Sequence, residues 1–253
     1  MNKLFIGNTI IRLPIVASTN EFAAQLLKSS APLDGTVIIA DTQTQGKGQI
    51  GNTWISEPCK NLTLSIILFP KNMQAEQQFK LTQIVSLAIV DFIEQKISPQ
   101  NKVNIKWPND IFVNDKKIAG VLIENSLRGN EISSSVIGIG ININQENFGG
   151  INERTTSLKK CEQKDFDLQI CLDDLCTAIE ARYMQFLNKN NSVIESEYLQ
   201  KLFQLNERKN YEVNEKIMEA KIIGVNKEGK LLLESIDNTT ITEYDLKEIK
   251  FLL

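Results

Sequence analysis

The chain has 253 residues and a formal net charge of −3. This length can bury one large core with a small satellite, and the charge balance does not suggest nucleic acid or an anionic membrane as the principal partner. No apolar run approaches the roughly 20 residues of a membrane span, and no signal-peptide pattern opens the chain, so we expect a cytoplasmic protein.

The composition also limits the chemistry. The four cysteines, Cys59, Cys161, Cys171 and Cys176, show no C-x-x-C spacing, and the chain contains no histidine. We therefore do not expect a zinc site or a disulfide framework, and histidine bases and triads are excluded. Any reaction must use lysines, carboxylates, backbone amides or a metal held by oxygen ligands.

A strand and a short helix are the first predicted elements. Residues 4–13 have the pattern of an edge strand. Ser18 and Glu21 then have the S-x-x-E spacing of a capping box, which predicts a helix over residues 20–28. Ser18 and Thr19 are accordingly expected to cap this helix.

A glycine-rich segment follows a strand predicted at residues 35–42. The glycines of residues 46–51 have G-x-G-x-x-G spacing, which after a strand suggests a dinucleotide-binding turn. That interpretation fails because the fingerprint needs a helix directly afterwards, whereas residues 61–69 alternate as a strand. The segment is instead a loop that is either simply mobile or brings backbone amides and Lys47 close to an anion.

A long buried helix is predicted over residues 75–96, and a sharp corner follows a strand at residues 103–106. Pro108 fixes its own backbone torsion and restricts the residue before it, so Asn109 and Asp110 follow a rigid turn that can aim two polar side chains.

A β-hairpin continues from this corner. Two apolar runs, residues 111–113 and 118–123, are joined through the turn-forming pair Asn114 and Asp115. Lys117 opens the returning strand, where its amine needs either a route to solvent or an anionic partner. The pattern alone allows both an ordinary surface hairpin and an anion-binding one.

The rest of the chain predicts a strand, two helices and a β-rich end. Residues 133–143 read as a buried strand, residues 168–187 and 193–203 as helices, and residues 211–253 as short strands between Asn, Asp and Gly turns.

Three segments, in this order, resemble biotin protein ligases: GKGQIGNTW at residues 46–54, KWPNDIFVNDKKIAGVLIEN at 106–125 and GIGININ at 138–144. The W-P-N-D block followed by K-x-A-G is specific to that family, whereas the glycine block alone is not. The T-S-L at residues 156–158 also resembles the family. More thinly, the resemblance extends from about residue 16 to the C-terminus.

The resemblance implies an α+β fold with two parts. A mixed β-sheet with helices packed on it, related to class II synthetases, would form a catalytic biotin- and ATP-binding domain over residues 1–206. A small SH3-like β-barrel would form residues 207–253.

The implied activity is ATP- and Mg²⁺-dependent. Biotin and ATP form biotinoyl-5′-AMP, and biotin is then transferred to one lysine of a biotin carboxyl carrier protein. No nucleic acid or membrane partner is expected, and a homodimer is left open.

The family's functional residues carry over onto matching positions. The resemblance assigns biotin binding to Ser18, Thr19, Asn20, Gln43, Gly46, Lys47, Trp54, Lys117 and Gly120. It assigns ATP binding to Lys47, Gly48, Gln49, Trp54, Asn109, Lys117 and Asn142. In the catalytic set, Lys117 would screen the biotin carboxylate and the α-phosphate, Lys47 would hold the phosphate, and Asp110 would organise Lys117 or the metal.

One position departs from the family. Its glycine loop usually reads G-R-G-R-x-G, whereas this chain has Lys47 and a neutral Gln49 at the two arginine positions. An arginine offers a charged, bidentate fork to a phosphate and a glutamine offers one neutral donor amide. The adenylate is therefore expected to be held less tightly here.

The alternatives are a lipoate or octanoate ligase and a biotin-sensing repressor. Lipoate and octanoate ligases share the superfamily fold and a lysine but lack the W-P-N-D block. A biotin-sensing repressor needs a helix-turn-helix before the catalytic domain, and the roughly fifteen residues before Ser18 are too few for that module. DNA binding is therefore not expected.

Overall fold

A mixed sheet of seven strands forms the larger part of the structure, a computed structural model that describes residues 5–188, 190–236 and 240–252. The strands are β1 (Ile10–Val16), β2 (Thr36–Gln43), β3 (Leu62–Leu68), β4 (Val103–Lys106), β5 (Asp110–Val113), β6 (Lys116–Arg128) and β7 (Glu131–Ile141). Their spatial order is β1-β2-β3-β7-β6-β5-β4, with β1 and β2 parallel and the other neighbours antiparallel.

Helices cover both faces of this sheet. They are α1 (Thr19–Ser29), α2 (Phe79–Glu94), α3 (Leu158–Glu162), α4 (Leu168–Leu187) and α5 (Asn191–Gln200). Helix α1 packs against β2, β3 and β7, whereas α2 packs against β4, β5 and β6 and is covered by α4 and α5. Because α2 lies between the sheet and two further helices, it is apolar and buried around most of its surface.

The alternation along β3 shows how the sheet separates two layers. Leu62, Leu64 and Ile66 belong to the main core with α2, whereas Ile67 packs in a smaller cluster with Ala23 of α1. Successive side chains of a strand point to opposite faces, so the odd-numbered positions of β3 face α1. The candidate site lies on that second face.

The predicted central hairpin is confirmed. Asn114 and Asp115 have φ of 48° and 65°, which is the backbone that a two-residue type I′ turn requires. A register shift between Ile111 and Phe112 brings Phe112 opposite Lys117, while Asp110 stays opposite Gly120. The corner before the hairpin contains a cis peptide bond between Trp107 and Pro108.

The C-terminal part forms a second, antiparallel sheet of the SH3-like kind. Its strands are β8 (Arg208–Val213), β9 (Lys216–Val225), β10 (Leu231–Ser235), β11 (Ile241–Tyr244) and β12 (Ile249–Phe251), in the order β11-β10-β9-β8-β12. The main core is continuous into this sheet, since it includes Tyr211, Ile222 and Leu233. The boundary predicted between residues 206 and 207 precedes β8 and stays a prediction.

Several predicted bounds are confirmed and others are corrected. The strand at residues 103–106 and the helix at 168–187 are correct to the residue. The first strand begins at Ile10, where pairing with Val37 of β2 starts, and residue 4 lies outside the described part. Helix α2 starts only at Phe79, after a 3-10 turn.

The capping-box prediction is wrong. Ser18 does precede α1 in an extended conformation, but its side chain makes no capping hydrogen bond. The carboxylate of Glu21 is instead paired with Lys47, so it is not turned back toward the start of the helix.

Within the described ranges, no helix combines the length and apolar character needed to cross a membrane.

Gly229, in the turn between β9 and β10, packs against Phe79 of α2 and Trp107 of the corner, and its substitution tests this contact. Its carbonyl oxygen accepts a hydrogen bond from Trp107 Nε1 at 2.8 Å, its φ is +95°, and a Cβ there would lie 2.5 Å from the Phe79 ring. Gly229→Ala should therefore lower the free energy of unfolding by about 1 to 3 kcal/mol more than Gly129→Ala. Gly129 is the matched control because it also has positive φ but no atom within 4 Å of the added Cβ.

Urea unfolding of both variants measures the difference. Equal losses of stability would show that Gly229 is not tightly packed against α2.

Candidate active site

A cavity of about 760 Å³ opens on the α1 side of the large sheet and reaches the last strand of the C-terminal sheet. It brings together most of the side chains that the sequence analysis assigned to the site. Those that line it are Ser18, Thr19, Asn20, Gln43, Lys47, Gly48, Gln49, Trp54, Asn109, Asp110, Lys117 and Gly120. Gly46 and Asn142 are not among the lining residues.

One end of the cavity is polar but built largely from uncharged groups. The first turn of α1 places Thr19 and Asn20 there, both almost fully buried. The backbone N–H of Thr19 donates to Gln43 Oε1 at 2.7 Å, and Asn20 Nδ2 donates to Glu124 Oε2 at 2.7 Å. These bonds fix the orientations of the side chains at this end.

The glycine-rich loop beside this end is a small hairpin. Trp54 donates its backbone N–H to Gly46 O at 3.0 Å, and Gly48 donates to Asn52 O at 2.7 Å. A Cβ on Gly46 would lie 2.4 Å from the Trp54 carbonyl oxygen, so this glycine is needed for the close backbone approach. Gly46 therefore shapes the loop without lining the cavity.

Lys47 reaches from this loop to α1. Its Nζ lies 2.5 Å from Glu21 Oε1, and this hydrogen bond raises the pKa of Lys47. The predicted role of Lys47 as a phosphate ligand would require the amine to leave Glu21. Both side chains are half exposed, so solvent screening makes the pair easy to exchange.

Trp54 packs directly on the sheet. A Cβ on Gly140 of β7 would lie 2.3 Å from the indole ring, so the ring occupies the space that glycine leaves open. The indole Nε1 is buried and has no hydrogen-bond partner within the described residues. Lys117 Nζ lies 5.7 Å from the centre of the ring, over its face.

The opposite end of the cavity is ionic. The hairpin places Lys117 Nζ 2.6 Å from Asp110 Oδ1, with both side chains partly exposed to the cavity. Gly120 leaves room for this pair, since a Cβ there would come within 3.3 Å of the Lys117 amine. Asn109 is buried next to the pair, and its side-chain amide donates to the carbonyl oxygen of Val121.

Lys106 is a second lysine beside Asp110. In the strand register, Lys106 of β4 lies opposite Asp110 of β5. It lines the cavity, and its Nζ lies 4.4 Å from the centre of the Phe251 ring. Burial lowers the pKa of Lys106; Asp110 opposes this shift and Lys117 adds to it. Lys106 directly precedes the W-P-N-D block, and the family resemblance assigned it no role.

Further cationic side chains at the cavity were missed entirely. They are Arg154, which precedes the T-S-L segment, Lys247 in the turn before β12, and Lys250 on β12. None of the three lies inside a motif segment: Lys247 and Lys250 are also distant from the motifs in sequence, whereas Arg154 lies two residues before the T-S-L segment. The lining contains more positive than negative side chains, which suits an anionic ligand.

Asn142 lies behind the ionic end rather than in it. Its side chain is 2% exposed and donates to Thr156 O at 3.0 Å, while the backbone N–H of Thr156 donates to Lys117 O at 2.9 Å. The residue thus ties the T-S-L segment to the strand that carries Lys117. Its predicted contact with ATP stays a prediction.

Known proteins are similar to this chain in sequence. The sequence profile of the Biotin/lipoate A/B protein ligase family matches residues 13–142. The bifunctional ligase/repressor BirA of Bacillus subtilis (strain 168) is 29% identical over 233 residues, which are 91% of this chain and 70% of BirA. The biotin–[acetyl-CoA-carboxylase] ligase of Mycobacterium tuberculosis is 30% identical over 183 residues, covering 71% of this chain and 66% of that protein.

A solved structure agrees over nearly the whole length. The biotin protein ligase from Aquifex aeolicus in complex with biotin and ATP superposes with a TM-score of 0.79 and 28% identity. The match covers 96% of this chain and 98% of that chain. These similarities confirm the resemblance and the fold class that the motifs indicated.

Gly140→Ala tests the packing of Trp54 on the sheet. The added Cβ would overlap the indole, so the ring must move. The chain has two tryptophans, and their indole N–H signals can be followed by NMR. We expect the Trp54 signal to shift while the Trp107 signal stays in place.

Gly224→Ala is the control, since its Cβ would meet no atom closer than 3.7 Å. An unmoved Trp54 signal in Gly140→Ala would contradict the described packing.

Proposed function

The chain belongs to the biotin/lipoate A/B protein ligase family, and from this we propose that it is a biotin–[biotin carboxyl-carrier protein] ligase. It forms biotinoyl-5′-AMP and pyrophosphate from biotin and ATP, and then transfers the biotinoyl group to a lysine of a carrier domain. The observation that carries this proposal is a single cavity with a hydrogen-bonding end at Thr19, Asn20 and Gln43 and a cationic end at Lys117.

The two ends suit the two parts of biotin. A cyclic urea needs donors and acceptors at close range, which the hydroxyl of Thr19 and the amide of Gln43 can supply. A carboxylate needs a cation, which Lys117 supplies. The cavity volume of about 760 Å³ lies within the usual range for small-molecule sites.

Lys117 is proposed to stabilise the charge that develops during adenylation. A carboxylate oxygen of biotin attacks the α-phosphorus of ATP, and the bond to pyrophosphate breaks. The attacking group is already ionised, so this step needs no proton-accepting histidine. Both reactants are anions, and Lys117 lowers the barrier by holding a positive charge between them.

Asp110 keeps Lys117 in place before the substrates arrive, through the contact of 2.6 Å. The carboxylate of Asp110 is also the proposed protein contact for magnesium. Among the residues that the structure describes, no three His, Cys, Asp or Glu side chains gather as a metal cage. This fits Mg²⁺, which is commonly held by one or two carboxylates together with substrate phosphates and water. When bound, the ion screens the negative charge of the triphosphate.

Transfer to the carrier follows in the same cavity. The amine of the carrier lysine attacks the acyl carbon of the adenylate, an amide forms, and AMP leaves. The proposed location is the cytoplasm, where ATP is available.

Biotin-dependent exchange of pyrophosphate into ATP tests the function. The purified protein should catalyse exchange with biotin and not with lipoate or octanoate. The alternative within the family, a lipoate or octanoate ligase, predicts the reverse preference. Transfer is then tested with an isolated biotin carboxyl carrier domain, whose acceptor lysine should be labelled.

Lys117→Ala should lower the exchange rate by at least ~10²-fold, a loss on the order of 3 kcal/mol of transition-state stabilisation. Lys116→Ala is the matched control, because the neighbouring side chain is exposed and does not line the cavity. Near-native exchange by the Lys117 variant would remove this residue from the catalytic machinery.

Gln49→Arg should slow the escape of the adenylate. Gln49 lines the cavity, and a charge-assisted bond from arginine would be about 1 to 2 kcal/mol stronger than a neutral one, which corresponds to roughly five- to thirty-fold. Dissociation of preformed adenylate measures this directly, and labelling of unrelated lysines should fall in parallel. An unchanged or faster off-rate would show that position 49 does not hold the phosphate in this protein.

A further inference from the structure

Ser65 occupies the middle of β3 beneath the start of α1. It is fully buried and does not line the cavity. Its hydroxyl nevertheless lies within hydrogen-bond distance of two side chains that do, at 2.7 Å from Thr19 Oγ1 and 2.6 Å from Asn20 Oδ1. Neither the motifs nor the resemblance pointed to this residue.

The bonds around Ser65 form a continuous chain. Gln43 Oε1 accepts both the backbone N–H of Thr19, at 2.7 Å, and the Thr19 hydroxyl, at 3.0 Å. At the other end, Asn20 Nδ2 donates to Glu124 Oε2 at 2.7 Å. Ser65 joins these two halves, because its hydroxyl contacts both Thr19 and Asn20.

The number of hydroxyl protons sets which group donates in each of these hydrogen bonds. Thr19 has one hydroxyl proton, and when Gln43 Oε1 accepts it, the Thr19 oxygen can only accept further bonds. The Gln43 carbonyl oxygen is engaged by the same residue, so its amide N–H groups are what Gln43 can offer to a ligand. Asn20 Oδ1 is an acceptor in every arrangement, so Ser65 shares its single hydroxyl proton between Asn20 Oδ1 and the Thr19 oxygen.

The cavity therefore presents an acceptor at Thr19 and a donor at Gln43. A cyclic urea presents the complement, with N–H groups that donate and a carbonyl oxygen that accepts. Asn20 fills the space that Gly138 leaves open, and it cannot turn without losing the bond from its Nδ2 to Glu124 Oε2. The orientation of these groups depends on the donor beneath them.

We propose that Ser65 is a positioning residue that sets the hydrogen-bond polarity of the cavity and so its selectivity for a cyclic urea. This rests on the proposed function, since it concerns how the same ligand is recognised. Without the Ser65 hydroxyl, Asn20 Oδ1 loses its donor and Thr19 can turn its proton away from Gln43. The ligand then meets side chains whose donors and acceptors are no longer fixed.

Ser65→Ala tests the proposal, with Ser135→Ala as the matched control. Ser135, on β7, is also fully buried and also donates to an asparagine carbonyl oxygen, Asn125 Oδ1, at 2.7 Å, but neither residue lines the cavity. Both variants should lose similar amounts of stability in urea. Only Ser65→Ala should bind biotin more weakly, by about tenfold in titration calorimetry.

Two further ligands make the readout specific. Desthiobiotin keeps the cyclic urea without the sulfur ring, so Ser65→Ala should weaken its binding by the same factor as for biotin. ATP binding should change less than about twofold. A merely structural role would weaken ATP and biotin together.

The outcomes separate the two hypotheses. If the native protein binds neither biotin nor desthiobiotin, the proposed function fails and this inference with it. If it binds biotin but Ser65→Ala binds equally well, or Ser135→Ala is weakened as much, only the role of Ser65 is overturned. Should Ser65→Ala not fold, Ser65→Cys decides, because its thiol is a weak donor; native-like biotin affinity there would also overturn the proposal.

Discussion

The absence of side chains at two alternating positions of β7 is the constraint on which the site depends. In the run Gly138-Ile139-Gly140-Ile141 the isoleucines point into the main core, and the glycines fall on the opposite face. Asn20 lies against Gly138 and Trp54 against Gly140, both closer than any side chain would allow. One face of β7 therefore packs in the main core, and the other face leaves room at its glycines for the Asn20 and Trp54 side chains of the cavity.

The cavity has a largely uncharged polar end and an ionic end. Asp110 lies beside Lys117 and pairs across the strands with Lys106, so one carboxylate offsets part of the cost of bringing two lysines together. Burial already lowers the pKa of Lys106, and a further cation without a counter-charge would be costly there. Lys117, whose side chain is 34% exposed, is the lysine that we propose exchanges Asp110 for a substrate anion.

Features of the fold whose signals are local in the sequence were predictable. The turn at Asn114 and Asp115 and the α4 helix each follow from neighbouring residues, and the structure has them as predicted. The capping box failed because Lys47, a residue from a distant loop, competes for Glu21. Tertiary partners of this kind leave no periodic trace in the sequence.

The same reason explains what was missed at the site. Ser65 is a single polar residue in an apolar strand, and only folding brings it beneath Thr19 and Asn20. Lys247 lies in the turn before β12 and Lys250 lies on β12, so both come from the C-terminal part of the chain, far in sequence from the motifs. Family resemblance transfers roles along the motifs, so residues outside them become visible only from their contacts.

Residues 106–110 contact both the C-terminal sheet and the cavity, and these contacts limit which part of the molecule can move. Lys106 and Trp107 contact the C-terminal sheet at Phe251 and Gly229, while Asp110 faces the cavity. The core is continuous across both sheets, so separating them would expose apolar surface. The glycine loop, by contrast, is tied to α1 by a half-exposed ion pair and otherwise bonds mainly within itself. Admission of ligand is therefore expected to fall to this loop, with the two sheets acting as one rigid support.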